Sequence, residues 1–402
     1  MTAPLAGIRV LDLTSVLMGP YTTQILGDNG ADVIKIEAPA GDTTRRLGPS
    51  RTPGMGPMFL HLNRNKRGLV LDLKKPAGRQ AMLRLVAGAD VLVSSMRPQA
   101  MQRLRLAYAD VAAANARLIY CGVYGFGERG PYAGRAAYDD IVQAAVALPN
   151  LFVRAGGHEP RYAPTVIADR TGGLAAAYAV TMALFQRERT GQGQAIEVPM
   201  FEVLAHNILA EHLFGRTFDP PRGESGYARL LASDRRPYPT KDGHVCALVY
   251  TDEQWRRFFA RIGRPELSRD PRFTNLSKRT ANVAALYKLL ADTLVGKTTA
   301  EWLQVFEELD IPATALNSIE SLLDDRHLHA VNLVQPTVHP SEGAMWALGN
   351  PINWGDGQPP PMRPAPKLGE HSREILAEAG YDDAAIAELL RRGVTLAPAD
   401  GT

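Results

Sequence analysis

The chain has 402 residues, 45% of them apolar and 22% charged, and carries a net charge of +3. That length calls for one large and one smaller domain, the composition is that of an ordinary globular protein, and the scattered Lys and Arg residues exclude a nucleic-acid binder. Cys121 and Cys246 form neither a disulfide framework nor a metal spacing, no run approaches the roughly 18 apolar residues of a membrane span, and MTAPLAGIRVLDL is no leader peptide, so a cytoplasmic protein with no membrane partner is expected.

Ile8 to Leu13 predicts a buried strand. A loop with Gly19-Pro20 leads into a helix over Tyr21 to Asp28, stopped by Asn29-Gly30, and DVIKIE at 32–37 is a second strand. Two strands joined by so short a helical crossover imply a parallel sheet. Residues 38–57, rich in Gly, Pro and Arg, read as a surface loop. Strands over Leu69 to Leu73, Asp90 to Ser94 and Leu118 to Val123 then alternate with helices over Pro76 to Ala87, Gln99 to Leu104 and Tyr108 to Asn115. The alternation predicts an open, Rossmann-like α/β layer. GFGERG at 125–130 matches the dinucleotide fingerprint, but Pro131 and Gly134 stand where its helix should begin, and no acidic residue ends a strand about 20 residues on. That reading is rejected.

Thr171 to Arg187 predicts a long helix, ended by Thr190-Gly191-Gln192-Gly193 with Arg187 and Arg189 in its last turn. A strand over Ala195 to Val198 and a helix over Phe201 to Phe214 follow, and 216–242 has the Pro, Gly and charge content of a domain crossing. Val245 to Val249 is a strand. The helix Asp252 to Ile262 carries Trp255, Phe258, Phe259 and Ile262 on one stripe. Thr298 and Glu301 form a capping box opening a helix to Leu309. The expected division is a large domain begun by 1–215, a small α+β domain over 225–330, and a linker and C-terminal part over 331–402. Gln358 to Pro366 would be a stiff proline linker, followed by helices at Ser372 to Ala379 and Asp383 to Arg391.

One carboxylate stands out. Asp169 lies one or two positions before the expected helix start, where an N-cap would accept backbone N–H bonds. Gly172 and Gly173 follow at once, costly in a helix unless something must approach closely. The apolar run Ala163 to Ala168 would bring the carboxylate to the exit of a buried strand. So placed, it could attack an acyl carbon while N–H groups of the turn receive the oxyanion and the helix end keeps it ionised. On position alone, cap and nucleophile both stay open. Arg45, Arg46, Lys66, Arg67, Lys74, Arg97 and Arg103 lie near strand ends, where they are either solvated surface charges or a set for a ligand's phosphates. The histidines lack ligand spacing, so no metal is expected; His61, His206 and His371 read as structural, and there is no GxSxG elbow.

Several stretches together carry a resemblance: RVLDLTSVLMGPYTTQILGDNGADVIKIEAP at 9–39, NRNKRGLVLDLKKPAGR at 63–79, ADVLVSSMRPQAMQRLRL at 89–106, AYDDIVQA at 137–144, VIADRTGGLAAAYAV, RTGQGQAIEVPM, DIPATALNS and KLGEHSREIL. Over nearly its whole length the chain resembles the class III coenzyme A transferases, the formyl-CoA transferase and carnitine CoA-transferase group that also includes α-methylacyl-CoA racemase. The resemblance implies that the nucleophile is Asp169. It implies adenine and phosphate contacts at Leu71, Asp72, Leu73 and Lys74, at Ser95, Met96 and Arg97, and at Arg103. Ser15, Leu17 and Met18 would line the thioester pocket, and Tyr138 and Asp139 would flank the pantetheine and acyl group. The implied fold is an interlocked homodimer, each chain with a Rossmann-like large domain built from both chain ends plus the smaller α+β domain. Coenzyme A thioester is then a substrate, and no cofactor is implied.

The departures are informative. Formyl-CoA transferase has His where this chain has Ser15 and Gln where it has Leu17, which argues against formyl or oxalyl groups. Its phosphate-binding Arg is Ala38 here, so Arg45 or Arg46 is the expected substitute. The racemases have a catalytic His where this chain has Tyr138, and racemisation needs two acid/base groups across the α-carbon. The expectation is therefore a CoA-transferase with a covalent aspartyl intermediate, taking succinyl-CoA and a dicarboxylate, ahead of a racemase-like isomerase, a dehydrogenase or a non-catalytic CoA-binding protein.

Overall fold

A computed structural model describes residues 3–355 and 362–398. Residues 358–361 of the expected proline linker lie outside the described residues. Six strands form one sheet: β1 (Arg9–Leu13), β2 (Asp32–Glu37), β3 (Lys66–Val70), β4 (Val91–Ser94), β5 (Ile119–Tyr124) and β6 (Gln194–Pro199), in the order β3-β2-β1-β4-β5-β6. Every pairing is parallel. Helical crossovers cover both faces of such a sheet, which is why β1, β2, β4 and β5 are buried along their length rather than on alternate residues, Asp12 and Lys35 included. The chain steps outward from β1 to β3, then returns to β4 on the other side. The crevice between β1 and β4, where the direction reverses, is where an open α/β sheet places a ligand.

Two compact units make up the chain: residues 1–146, 164–205 and 326–402 in one, and 147–163 and 206–325 in the other. In the first, Leu11, Ile34, Leu69 and Leu92 of the sheet share a core with Ala81 and Met82 and with Ile375, Leu376, Ile386 and Leu389. Each Leu, Ile or Met among them contributes about 1.5–3 kcal/mol on burial, so the C-terminal helices are held by the same term that builds the sheet. Arg67 adds direction, reaching Asp32, Glu374 and Glu378 at 2.7, 2.7 and 2.6 Å. The second unit packs Trp255, Phe258, Phe259, Leu290, Trp302 and Phe306 together. There the Thr298–Glu301 capping box forms as its spacing predicts, as does one between Thr251 and Gln254.

Four local expectations change. The third strand begins at Lys66 rather than Leu69, because Lys66 and Arg67, polar in pattern, are buried and paired. The first helix, α1 (Met18–Asp28), starts three residues early, with Pro20 among first-turn positions whose N–H has no helical partner anyway. The expected surface loop over 38–57 contains a turn of helix at Thr43–Arg46, capped by the Asp42 carboxylate. The antiparallel hairpin of Val334–His339 with Gly343–Leu348 has no counterpart in the sequence reading; Pro336 within its first strand speaks against a strand there. Among the described residues no helix is long and apolar enough to cross a membrane, and no three His, Cys, Asp or Glu gather as a metal site.

Candidate active site

The loop from Thr14 to Leu17 joins β1 to α1 and supplies two edges of the site. It rests on buried charges. Lys66 Nζ lies 2.9 Å from Asp12 Oδ2 and also donates to the Pro20 carbonyl, while Lys35 Nζ donates to the Thr14 carbonyl at 3.1 Å and to Asp42 at 3.0 Å. Burial opposes ionising Asp12, but Lys66, Lys35 and the hydroxyls of Thr14 and Thr23 outweigh it and hold the carboxyl well below the usual range. In the loop itself Val16 has φ 71°, left-handed for a β-branched residue.

The helix Ile167–Thr190 lies close against α1. A Cβ at Gly172 would meet Met18 Cε at 2.7 Å, and one at Gly173 would meet Tyr21 Cδ1 at 2.8 Å and the Met18 carbonyl oxygen at 3.0 Å. The paired glycines thus admit the first turn of α1. The backbone N–H of Met18 in that turn donates to Asp169 Oδ1 at 3.2 Å.

Asp169 is not the cap of its helix, and no strand precedes it: the helix begins at Ile167 and Asp169 is its third residue. The cap comes from thirty residues upstream. Asp139 Oδ1 accepts the N–H of Ala168 at 2.7 Å and of Asp169 at 3.0 Å, and its Oδ2 accepts from the Gln143 amide. With Asp139 taking those donors, the helix end does not hold Asp169 readily ionised. Burial first, and the Asp139 charge second, push its carboxyl up to about 6, against the opposing pull of the Met18 N–H and Arg170.

A cavity of about 820 Å³ opens at the C-terminal ends of the strands, a size suited to a small-molecule ligand. Of the expected coenzyme contacts, Ser15, Leu71, Asp72, Leu73, Lys74, Ser95, Met96 and Arg103 line it. Leu17, Met18, Arg46, Arg97, Tyr138 and Asp139 do not. Leu17 and Met18 are buried, Met18 being the residue whose N–H binds Asp169; Asp139 caps the long helix, and Tyr138, immediately before it, is 69% exposed. Arg97 precedes the helix Pro98–Leu104, and exposed Arg46 donates to the Ala40 carbonyl at 3.0 Å. Arg45 is buried, bidentate on Glu37 at 2.8 and 2.7 Å and over the Phe59 ring, so it has no reach to a ligand. Lys66 and Arg67 are likewise committed to internal ion pairs.

Three cations that line the cavity were not singled out from sequence: Lys75, Arg79 and Arg105. Lys75 and Arg79 were legible in KKPAGR as the approach to a helix after a strand. Arg105 was not, because its place depends on the left-handed turn (φ 55°) ending the helix Pro98–Leu104. With Lys74 and Arg103 they outnumber the lining acids Glu37, Asp42 and Asp72, two of which are already paired with Arg45 and Lys35. The surplus suits a polyanionic ligand. Ser15 on the cavity wall is three residues from Met18, whose N–H touches Asp169, so one short loop spans from cavity to carboxylate. The GFGERG loop is no rival cradle: the N–H of Gly127 donates to Glu202 and that of Glu128 to Glu197, at 2.9 and 2.7 Å.

Comparison with known proteins gives the family. The sequence model of CoA-transferase family III matches residues 5–372. The succinyl-CoA:glutarate CoA-transferase of Mus musculus is 32% identical over 396 residues, covering 97% of this chain and 90% of that protein. The acetyl-CoA:oxalate CoA-transferase of Acetobacter aceti is 34% identical over 387 residues, covering 95% and 97%. Among solved structures, a CAIB/BAIF family protein from Brucella suis matches with a TM-score of 0.79 at 31% identity, covering 94% of this chain and 100% of that one. The match runs through both the parallel sheet and the loops that build the cavity, and the chain belongs to CoA-transferase family III, as an enzyme of the class III CoA-transferase type.

Proposed function

We propose that the enzyme moves coenzyme A from an acyl-CoA thioester to a free carboxylic acid through a covalent intermediate on Asp169. The observation that carries this is the buried Asp169 carboxylate, held by the Met18 N–H at the end of a loop whose other end lines a cation-rich cavity. The coenzyme's phosphates lie toward Lys74 and Arg103, and its thioester reaches along the loop to Asp169. A carboxylate oxygen of Asp169 attacks the thioester carbonyl, the C–S bond breaks, and coenzyme A leaves as thiolate, giving a mixed anhydride. The thiolate attacks the aspartyl carbonyl and the donor acid leaves as carboxylate. The acceptor carboxylate then attacks this aspartyl thioester and expels the thiolate, which attacks the acceptor's acyl carbon and frees Asp169. No proton is gained or lost, so an ionised nucleophile is all the site must supply. The Met18 N–H is placed to accept negative charge developing at the aspartyl oxygen.

The acceptor is a dicarboxylate and the donor succinyl-CoA. This rests on the name of the succinyl-CoA:glutarate relative and on the guanidinium of Arg170 beside the nucleophile, 4.3 Å from the centroid of the Tyr21 ring. A homodimer is the second part of the reading. Leu174, Tyr178, Met182 and Phe185, each more than half exposed, form one apolar stripe along the long helix, which a second copy would cover. The test is a matrix of acyl-CoA donors and acids read by mass spectrometry, with hydroxylamine present in a parallel set. Dicarboxylate products and an Asp169 hydroxamate formed only with acyl-CoA support the reading. Turnover confined to monocarboxylates overturns the acceptor, and undiminished turnover by Asp169→Ala overturns the mechanism.

A further inference from the structure

A wholly buried ion pair sits under the site, and the chemistry proposed above makes no use of it. Lys35 and Asp42 are both buried, 3.0 Å apart, and neither touches Asp169. Asp42 is committed on every side. Its Oδ1 accepts the N–H and hydroxyl of Thr44 at 2.9 and 2.8 Å, its own N–H donates to Glu37, and both its oxygens face the backbone N–H of Val16 at 3.3 Å. Lys35 takes the other side of the same loop through the Thr14 carbonyl. Val16, whose own N–H is the second of these two anchor points, is the loop's left-handed residue.

An isolated β-branched residue does not stay left-handed; its Cβ crowds the backbone, and the conformation persists only when its surroundings impose it. Here the imposing groups are identifiable. The backbone conformation of Val16 sets where Leu17 and Met18 follow, and hence where the Met18 N–H points. Burial opposes charge on both partners, yet each is kept charged: Asp42 below the usual carboxylate range by Lys35 and the Thr44 donors, Lys35 above its usual value by Asp12, Asp42 and Glu37. A buried pair of this kind is a poor source of net stability, and its retention fits a role in specifying one arrangement.

We infer that the Lys35–Asp42 pair is the positioning device of the active site: it clamps Val16 in its left-handed conformation and thereby aims the Met18 N–H at the Asp169 carboxylate. Lys35 and Asp42 are positioning residues, acting through the loop. The inference rests on Asp169 as the reacting group.

Glycine at position 16 provides the test, because it adopts the left-handed conformation without a clamp. A double-mutant cycle pairs Val16→Gly with Asp42→Ala and, as the shape-conserving version should the alanine variant fail to fold, with Asp42→Asn. The readouts are kcat with acyl-CoA and acid, and the Kd for free coenzyme A. The expected result is a kcat about 100-fold lower in Asp42→Ala, the scale of a misplaced reacting geometry, with no matching rise in Kd, since Asp42 on the cavity wall is an anion and its loss removes no contact to the coenzyme's phosphates. Adding Val16→Gly should return kcat by tenfold or more. If glycine recovers nothing in either background, or if Kd rises as far as kcat falls, the clamp is not a positioning device. Trapping of wild-type Asp169 by hydroxylamine is a separate arm: its failure removes the covalent mechanism, whereas the cycle, read on turnover, reports on the clamp either way.

Discussion

The Oδ1 of Asp139 lies 3.0 Å from the backbone nitrogen of Asp169, so one carboxylate caps the helix on which the other sits. The arrangement separates two roles that a single N-cap would merge. Asp139 takes the helix donors, and Asp169 keeps a free lone pair and a raised pKa. A carboxylate that ionises near 6 is more basic than an ordinary one and is still charged at neutral pH. We predict that kcat/KM falls on the acid side with a midpoint near pH 6. Asp139→Asn, whose amide oxygen still accepts the two N–H bonds, should move that midpoint downward by removing the second-largest cause of the shift. A pH–rate profile of both enzymes checks it, and an unmoved midpoint would separate Asp139 from the electrostatics of the nucleophile.

The same shift is a statement about folding. Asp169 has its carboxyl raised from 3.8 in the ordinary state to about 6 in the folded one. Its contribution is therefore fully present below pH 3.8 and lost as pH rises through about 6, because the folded state resists giving up that proton. Above pH 6 the ionised carboxylate is a liability, of about 3 kcal/mol at most. Asp169→Asn, nearly isosteric and still able to accept from Met18, should be more stable than the wild type at pH 8. The advantage should vanish below pH 4. Urea unfolding at the two pH values measures both ends of the window.

The strands and the position of the cavity were legible because they follow from runs of aliphatic residues and from the rule that loops after parallel strands hold the ligand. Lys74 and Arg103 were found that way, whereas Ser15, Leu71 to Leu73 and Ser95 came from the resemblance. What local pattern hides is long-range pairing. Lys66 and Arg67 look like surface cations, and only the presence of Asp12, Asp32, Glu374 and Glu378 makes them internal. Asp169 looks like a cap because nothing nearby in sequence announces that Asp139 has taken the post. The left-handed backbone of Val16 is invisible for the same reason: the residue type argues against it, and the groups that impose it come from β2 and the loop after it.

The glycine pair tests how closely α1 must approach. Alanine is the better helix former by about 1 kcal/mol at each position, so a gain is expected if nothing lies in the way. At Gly172 the nearest atom is the flexible end of Met18, Cε at 2.7 Å, which can turn aside, and Met200 Cγ at 3.1 Å needs to give by only a few tenths of an ångström. At Gly173 the new methyl meets the Tyr21 ring and the Met18 backbone carbonyl, which cannot move without moving the N–H of the same residue. Gly172→Ala should retain most activity. Gly173→Ala should lose kcat by about tenfold or more, in keeping with the sensitivity of reaction rates to small displacements. Equal kcat values for the two variants would remove the link between this contact and the placement of Met18.

The cations around the cavity divide by environment, and the division predicts different phenotypes. Lys74 and Arg103 are exposed on the cavity wall, available to phosphates. Their alanine variants should raise the KM for acyl-CoA with kcat within a few-fold, since coenzyme phosphates are bound equally before and during the chemical step. Added salt should raise the wild-type KM and flatten the difference. Arg45, though adjacent in sequence to the loop, is an internal strut on Glu37 and the Pro366 carbonyl. Arg45→Ala leaves Glu37 buried without its partner and should cost about 3–5 kcal/mol of stability. Arg46→Ala, exposed and outside the cavity wall, should change neither KM nor stability. Steady-state kinetics over a salt series, with unfolding curves for the Arg45 and Arg46 variants, distinguishes the three classes; a raised KM in Arg46→Ala with normal stability would instead make Arg46 the phosphate contact that takes the place of Ala38.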